Sequence, residues 1–186
     1  MNDLDYFTNP DWLRGLVAWQ VVGLSAEELI KTSVRIATAS AKNGGGPFGA
    51  VIAEASGRIV EIGWNWVVAA HDSTLHAEVH CIRRAQRLLK THNLGAPGLP
   101  ALTLYSSCDP CIQCFGAIYW SGLKKVYACA GKADAEAAGF DEGPLMPEMW
   151  ALAKKRKGID FIPCFCFEES ALEPFRAFAA VGGRLY

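Results

Sequence analysis

Apolar positions recur along the chain with two periods, and the switches between them mark out the elements. Ser25-Ala26-Glu27-Glu28 has the form of a capping box, and Leu29, Ile30, Val34, Ile36 and Ala37 follow it at helical spacing, which predicts a helix to about Lys42. Asn43-Gly44-Gly45-Gly46-Pro47 ends it. No Lys-Ser/Thr pair follows these glycines and an extended run comes next, so they read as a turn that permits close backbone approach and not as a phosphate loop. Phe48 to Ala53 and Arg58 to Asn65 read as strands of a hairpin turning at Ala55-Ser56-Gly57. Thr74 can cap a helix to about Thr91, with Cys81, Ile82, Ala85, Leu88 and Leu89 on one stripe. Beyond a Gly/Pro-rich loop come a strand from Ala101 to Ser106, a helix from Cys111 to Trp120 with Asp109 as N-cap and Pro110 at its first position, and a strand from Lys125 to Ala130. A helix around Pro147 to Lys157, a strand from Ile159 to Pro163 and an apolar helix opening at Pro174 complete the series. Ahead of all this, Asp11 to Val22 reads as an extra short helix with Trp12, Leu13, Leu16, Val17 and Trp19 to bury. Such alternation predicts an α/β fold with a largely parallel sheet covered by helices on both faces, and ligands at the carboxyl ends of its strands.

Composition narrows this to one domain with a sizeable core: 186 residues, 51% hydrophobic and 20% charged. A formal charge of −1 argues against a broad electrostatic grip on nucleic acid. No apolar run approaches the ~20 residues of a membrane span, and Met1-Asn2-Asp3-Leu4-Asp5 lacks a basic leader, so a soluble cytoplasmic protein is expected. Seven cysteines, an odd number, suit a reducing compartment better than a disulfide framework. Arg83, Arg84, Arg87 and Lys90 form a basic patch that reads as a solvated helix face. Trp64 and Trp66, with Tyr119 and Trp120, can serve either as core or as a wall for a planar base.

Chemistry gathers in two stretches, Thr74-Leu75-His76-Ala77-Glu78 and Ser107-Cys108-Asp109-Pro110-Cys111-Ile112-Gln113-Cys114. One His and a Pro-preceded Cys-x-x-Cys supply three zinc ligands and leave a fourth position open, which is a catalytic inventory. Both groups fall at helix N-termini, whose positive partial charge favours the thiolate. His76 and Glu78 point about 200° apart on a regular helix, so one metal serves both only if it lies off the helix end, with Glu78 beside the open position as general base. Cys108 and Cys111 also fit a redox pair or half of a structural zinc site, but a second such pair is missing, Cys164 and Cys166 being two apart. His76-Ala77-Glu78-Val79-His80 is not a zincin helix, where the Glu follows the first His directly.

His-x-Glu with Pro-Cys-x-x-Cys is the signature of zinc nucleobase deaminases. From about Ser25 to Tyr186 the chain resembles the guanine deaminase branch of the cytidine deaminase superfamily, through Gly46-Pro47-Phe48-Gly49-Ala50-Val51-Ile52, Asn65, the Asp72 to Glu78 and Cys108 to Trp120 stretches, and Ala137-Ala138-Gly139-Phe140-Asp141-Glu142. The resemblance implies a three-layer α/β/α sandwich on a mixed, largely parallel five-stranded sheet, in a deaminase domain spanning residues 25–186 behind a helical extension at 1–24. It implies one Zn²⁺ per chain on His76, Cys111 and Cys114, with Glu78 as proton shuttle and Glu142 as the second catalytic carboxylate, contacting the purine. Asn65, Phe48, Ala77, Asp141 and Tyr186 then fall to substrate binding. The expected reaction is hydrolytic deamination of a free aminated purine, guanine to xanthine and ammonia. Cytosine or cytidine, a triazine and tRNA adenosine are the alternative substrates, and a metal-stabilised binding module is the rival outside enzymes. The resemblance further implies a homodimer in which residues 168–186 can be exchanged between subunits and close the partner's site. Ser73 stands where a proline is common, and the Glu142 position is often Asp.

Overall fold

The computed structural model of the chain describes residues 7–163 and 168–186, so the leader reading at Met1 to Asp5 and the pair Cys164 and Cys166 lie outside the described residues. The elements run α1 (Ala26–Lys42), β1 (Gly49–Glu54), β2 (Ile59–Trp64), α2 (Val67–Ala70), α3 (Ala77–Leu88), β3 (Leu102–Cys108), α4 (Ile112–Ser121), β4 (Lys125–Ala130), α5 (Lys132–Ala137), α6 (Pro147–Lys157), β5 (Asp160–Pro163), α7 (Glu168–Ala171) and α8 (Glu173–Ala180). The sheet order is β2-β1-β3-β4-β5. β1 pairs antiparallel with both β2 and β3, whereas β3-β4 and β4-β5 are parallel, so β1 alone runs against the other four strands. This is the expected mixed α/β sandwich.

Local chemistry explains most of the boundaries. Ser25 caps α1 in a reciprocal box: its hydroxyl accepts from the Glu28 amide at 3.2 Å and its own amide donates to Glu28 Oε2 at 2.8 Å. α6 opens on Pro147 and closes on Gly158 at φ +67°.

The sheet is covered on both faces. Leu29, Ile30, Val34, Ile36 and the α8 residues Phe175 and Phe178 bury one face together with Val51, Ile62 and Tyr105. Ala77, Cys81, Ile82 and Ala85 of α3 join Phe115 and Ile118 of α4 over the other, against Ala50, Ile52, Leu104 and Val126. Closeness on this second face is set by small side chains. Gly63 has no room for a Cβ, which would lie 2.5 Å from the Cys81 amide nitrogen and 2.7 Å from the Cys81 Cβ.

Four expectations change. The opening helix from Asp11 to Val22 is only a 3-10 turn, Asp11–Leu13, because Gly15 takes φ +75°, outside right-handed helix space, although Leu13 and Val17 are buried as the pattern predicts. Thr74 does not cap α3. Its amide and hydroxyl both bond Asp72 Oδ1, at 2.8 and 2.6 Å, in a turn that precedes the helix. Asp109 does not cap α4; its Oδ2 accepts from the Lys132 amide at 3.1 Å, at the start of α5. The basic patch is not uniformly solvated: Arg84 is buried, holds Glu61 at 2.7 Å, and donates to Phe7 O and Asn9 Oδ1 at 3.0 and 2.8 Å, which docks the residues preceding α1. Among the described residues no helix is long and apolar enough to cross a membrane.

Candidate active site

The functional side chains meet at the N-termini of α3 and α4, and each helix starts on a ligand. His76 is the N-cap of α3 and Cys111 the N-cap of α4, both extended and both without a side-chain cap bond. Ser, Thr, Asp or Asn at such a position stabilises a helix by ~1 kcal/mol, so both helices forgo that contribution and leave the ring and the thiol free for other partners. Cys114 sits one turn into α4 and Glu78 in the first turn of α3. Cys111 Sγ lies 3.4 Å from His76 Nδ1, and Cys114 Sγ donates to Glu78 Oε2 at 3.2 Å. The potential ligand atoms of His76, Cys111 and Cys114 all lie within 4.8 Å of one another. The potential ligand atoms therefore meet off both helix ends, where a metal shared by the two helices would have to lie. Cys108 is buried apart from the cluster, its thiol directed at Gly131 O at 3.6 Å.

A pocket over this cluster is walled by Phe48, Phe140 and Tyr186 and also lined by Asn65, Asp109, Asp141 and Glu142. Asn65 follows β2 and is wholly buried; its carbonyl accepts from Ser40 Oγ at 3.0 Å, and its Nδ2 donates to the Tyr186 hydroxyl at 2.5 Å. The glycine turn makes this possible, since a Cβ on Gly46 would lie 2.7 Å from Asn65 Oδ1 and 2.9 Å from the Tyr186 oxygen. Glu142 hangs from a loop tied to α4 by Ile112 N to Glu142 O at 3.3 Å and to α5 by Lys132 Nζ to Gly143 O at 2.8 Å. Asp141 accepts from the Gly143 amide at 2.9 Å and shapes the same loop. Ala77, by contrast, has its side chain in the α3-sheet core and does not line the pocket. Trp64 is also core, set edge-on to Trp12 and His80, and neither it nor Trp66, Tyr119 or Trp120 lines the pocket, whose aromatic wall is Phe48 with Phe140. Phe140 was legible only as a neighbour of Asp141 and Glu142.

With Tyr186 in place the free space is about 20 Å³, room for roughly one water. Entry of a planar base thus requires the tail to move. Larger grooves elsewhere, such as the one of about 510 Å³ lined by Leu16, Lys31, Val34 and Arg35, hold no cluster of metal ligands among the described residues.

Electrostatics show what the donor set suits. A hydrogen bond from the Cys114 thiol, with His76 adding to it, holds Cys111 down at about 4. Burial, then the Cys111 charge, pushes Glu78 up. Burial raises Cys114 well above the usual thiol range, and burial with Cys111 and Glu78 lifts Glu142 to about 8. Burial pulls His76 down, but the bond and charge of Cys111 outweigh it and the net direction is up. Four acidic groups thus compete for ionisation, and His76 alone of the described pocket-lining residues can carry positive charge. A dication relieves that competition. Two thiols and an imidazole with one position left over are the donor set of a catalytic zinc.

Residues 24–130 match the cytidine and deoxycytidylate deaminase zinc-binding region. The chain is 40% identical over 155 residues to the guanine deaminase of Bacillus subtilis (strain 168), covering 83% of this chain and 94% of that protein. It is also similar to a solved guanine deaminase from Nitrosomonas europaea, with a TM-score of 0.84, 31% identity and coverage of 96% and 98% of the two chains. A further solved structure, in complex with 2,6-diaminopurine, matches with a TM-score of 0.81 and 35% identity over 87% of this chain and 85% of that one.

Proposed function

The chain belongs to the cytidine and deoxycytidylate deaminase zinc-binding family, and from that premise we propose that it is a zinc-dependent deaminase acting on a free purine base, converting guanine and water to xanthine and ammonia. The observation that carries the reading is the meeting of three zinc donors within 4.8 Å of one another beside a buried carboxylate, at the floor of a pocket shaped by aromatic rings. Its support in kind is the guanine deaminase character of relatives that span nearly the whole chain.

His76, Cys111 and Cys114 would hold the zinc, which would supply Lewis acidity and lower the pKa of a water at its open position. Glu78 takes one proton from the attacking water and passes it to the ring nitrogen next to the amino-bearing carbon, then takes the second proton from the new hydroxyl and delivers it to the amine as the C–N bond breaks, leaving the carbonyl of xanthine and free ammonia. The upward shift of Glu78 by burial suits a group that must hold a proton between these two transfers. Asn65 holds the polar edge of the base through the amide group that now bonds Tyr186. Glu142 accepts from the base's N–H groups, and Phe48 and Phe140, set edge-to-face on each other, pack against its apolar surface. Tyr186 withdraws to admit the base and returns to exclude water. The formal charge of −1 supports a free base over a nucleic-acid substrate, and we place the protein as a cytoplasmic homodimer.

Ammonia release from a panel of guanine, adenine, 2,6-diaminopurine, cytosine and tRNA adenosine tests the substrate. Guanine should lead the panel, and Glu78→Gln should keep its zinc while losing roughly 10² or more in turnover. Release of ammonia from cytosine alone overturns the purine reading.

A further inference from the structure

The middle of the sheet carries a feature that the assigned roles do not use. Register places Gly63, Ala50, Ser106, Ala128 and Pro163 side by side in one row across all five strands. Beneath α3 small size is a packing requirement: Ala50 shares a buried cluster with Ala77 and Cys81, and Gly63 has no space for a Cβ under the same helix. The row lets α3, and with it His76 and Glu78, come down onto the sheet. Alanine would satisfy that requirement at every non-glycine position except Pro163 on the edge strand. Yet the centre of the row is a serine that is only 2% exposed, and a buried hydroxyl is costly unless it finds a partner.

Its partner is the carboxylate of Glu78, to which Ser106 Oγ donates at 3.0 Å. The bond goes to Oε1, while Oε2 faces Cys114 Sγ at 3.2 Å, so each carboxylate oxygen has a separate task. We infer that Ser106 is a positioning residue, which fixes the plane of the Glu78 carboxylate so that Oε2 stays turned toward the His76, Cys111 and Cys114 cluster. The side chain of a Glu has a broad, nearly two-fold terminal torsion, and the bond from its own backbone amide in the first turn of α3 does not alone set the carboxylate plane. A donor on the rigid central strand does. The neighbouring Ser107 has a different task, accepting from the Gly49 amide at 3.0 Å, so the two adjacent serines are not interchangeable.

This inference rests on the reading of Glu78 as the proton shuttle, and a mutant cycle on the zinc-loaded full chain with guanine as substrate separates the two. Ser106→Ala should lower kcat by about tenfold, leave KM within about twofold, preserve zinc content and lower the melting temperature by no more than a few degrees. In a Glu78→Gln background the same Ser106→Ala change should cost nothing further, because there is no shuttle left to orient. A general packing defect would instead give the same fold-loss in both backgrounds, and that result overturns the inference, as does a Ser106→Ala enzyme within twofold of wild-type kcat. An inactive Glu78→Gln beside an unimpaired Ser106→Ala refutes the positioning role alone. Wild-type turnover by Glu78→Gln refutes the shuttle itself and the inference with it.

Discussion

Gly63→Ala tests whether the seat of α3 on the sheet sets the catalytic geometry. The added methyl would lie 2.5 Å from the Cys81 amide nitrogen and 2.7 Å from its Cβ, with the Ala77 carbonyl oxygen nearer still. Comfortable carbon contacts begin near ~3.5 Å, so α3 must retreat by about 1 Å. The atoms in the way belong to backbone and to a Cβ, which cannot swing aside as a side-chain tip could. Overpacking of this kind costs about 1–3 kcal/mol, which in a chain of this size lowers the melting temperature by roughly 2–12 °C. The effect on chemistry should be larger, because the same helix bears His76 and Glu78, and a 1 Å misplacement costs on the order of 10²-fold in rate. Gly116→Ala is the control: that glycine lies inside α4 with nothing within 4 Å of where the new methyl would stand, so the substitution should stabilise by up to about 1 kcal/mol and leave turnover unchanged. Ammonia release, zinc content and thermal melts on both variants measure the outcome. A Gly63→Ala protein with wild-type turnover and an unshifted melt would refute the argument that close approach at this row places the site.

Arg84→Met leaves Glu61 without its 2.7 Å partner at a nearly buried site and should cost about 3–5 kcal/mol in urea unfolding; a loss below ~1 kcal/mol would show the pair to be solvated in effect. In the metal-free protein, burial lifts Glu142 to about 8, so the folded state keeps a proton the unfolded chain gives up above 4.5, and its contribution to stability declines as pH rises between those values. Glu142→Gln should therefore gain on the wild type across that window in chelator-stripped urea melts, and a constant gap refutes the shift. Deleting Arg184 to Tyr186 should leave a folded, zinc-binding protein whose guanine turnover is lower by about tenfold; equal turnover means the tail does not shield the reaction.

The fold was legible where local chemistry and tertiary packing agree. The Ser25 box, the hairpin over Ala55 to Gly57 and the Pro147 to Gly158 helix each carry their own start or stop signal, and each forms as read. Misreadings fall where tertiary demands override local preference. Leu13 and Val17 do bury and Trp12 packs against the core, but Gly15 at φ +75° breaks the helix their spacing suggests. Arg84 has the composition of a solvated face, and only the third dimension brings Glu61, Phe7 and Asn9 to it. Short α2, α5 and α7 have too few residues for a period to be visible.

At the site the same conflict is informative. Thr74 and Asp109 have the chemistry of N-caps, and the chain starts each helix two residues later, on His76 and on Cys111. Both displaced residues still hold structure, Thr74 in the Asp72 turn and Asp109 on the Lys132 amide. A helix that begins on a metal ligand forgoes its cap bond, and it gains a ligand held by the first turn with the helix dipole behind it. Two such starts facing each other at the carboxyl end of β3 bring all three zinc donors together from only two short stretches of chain. Between His76 and Cys111 the chain runs out along α3 and returns along β3, and that strand has Ser106 in place to meet the one carboxylate that must not rotate.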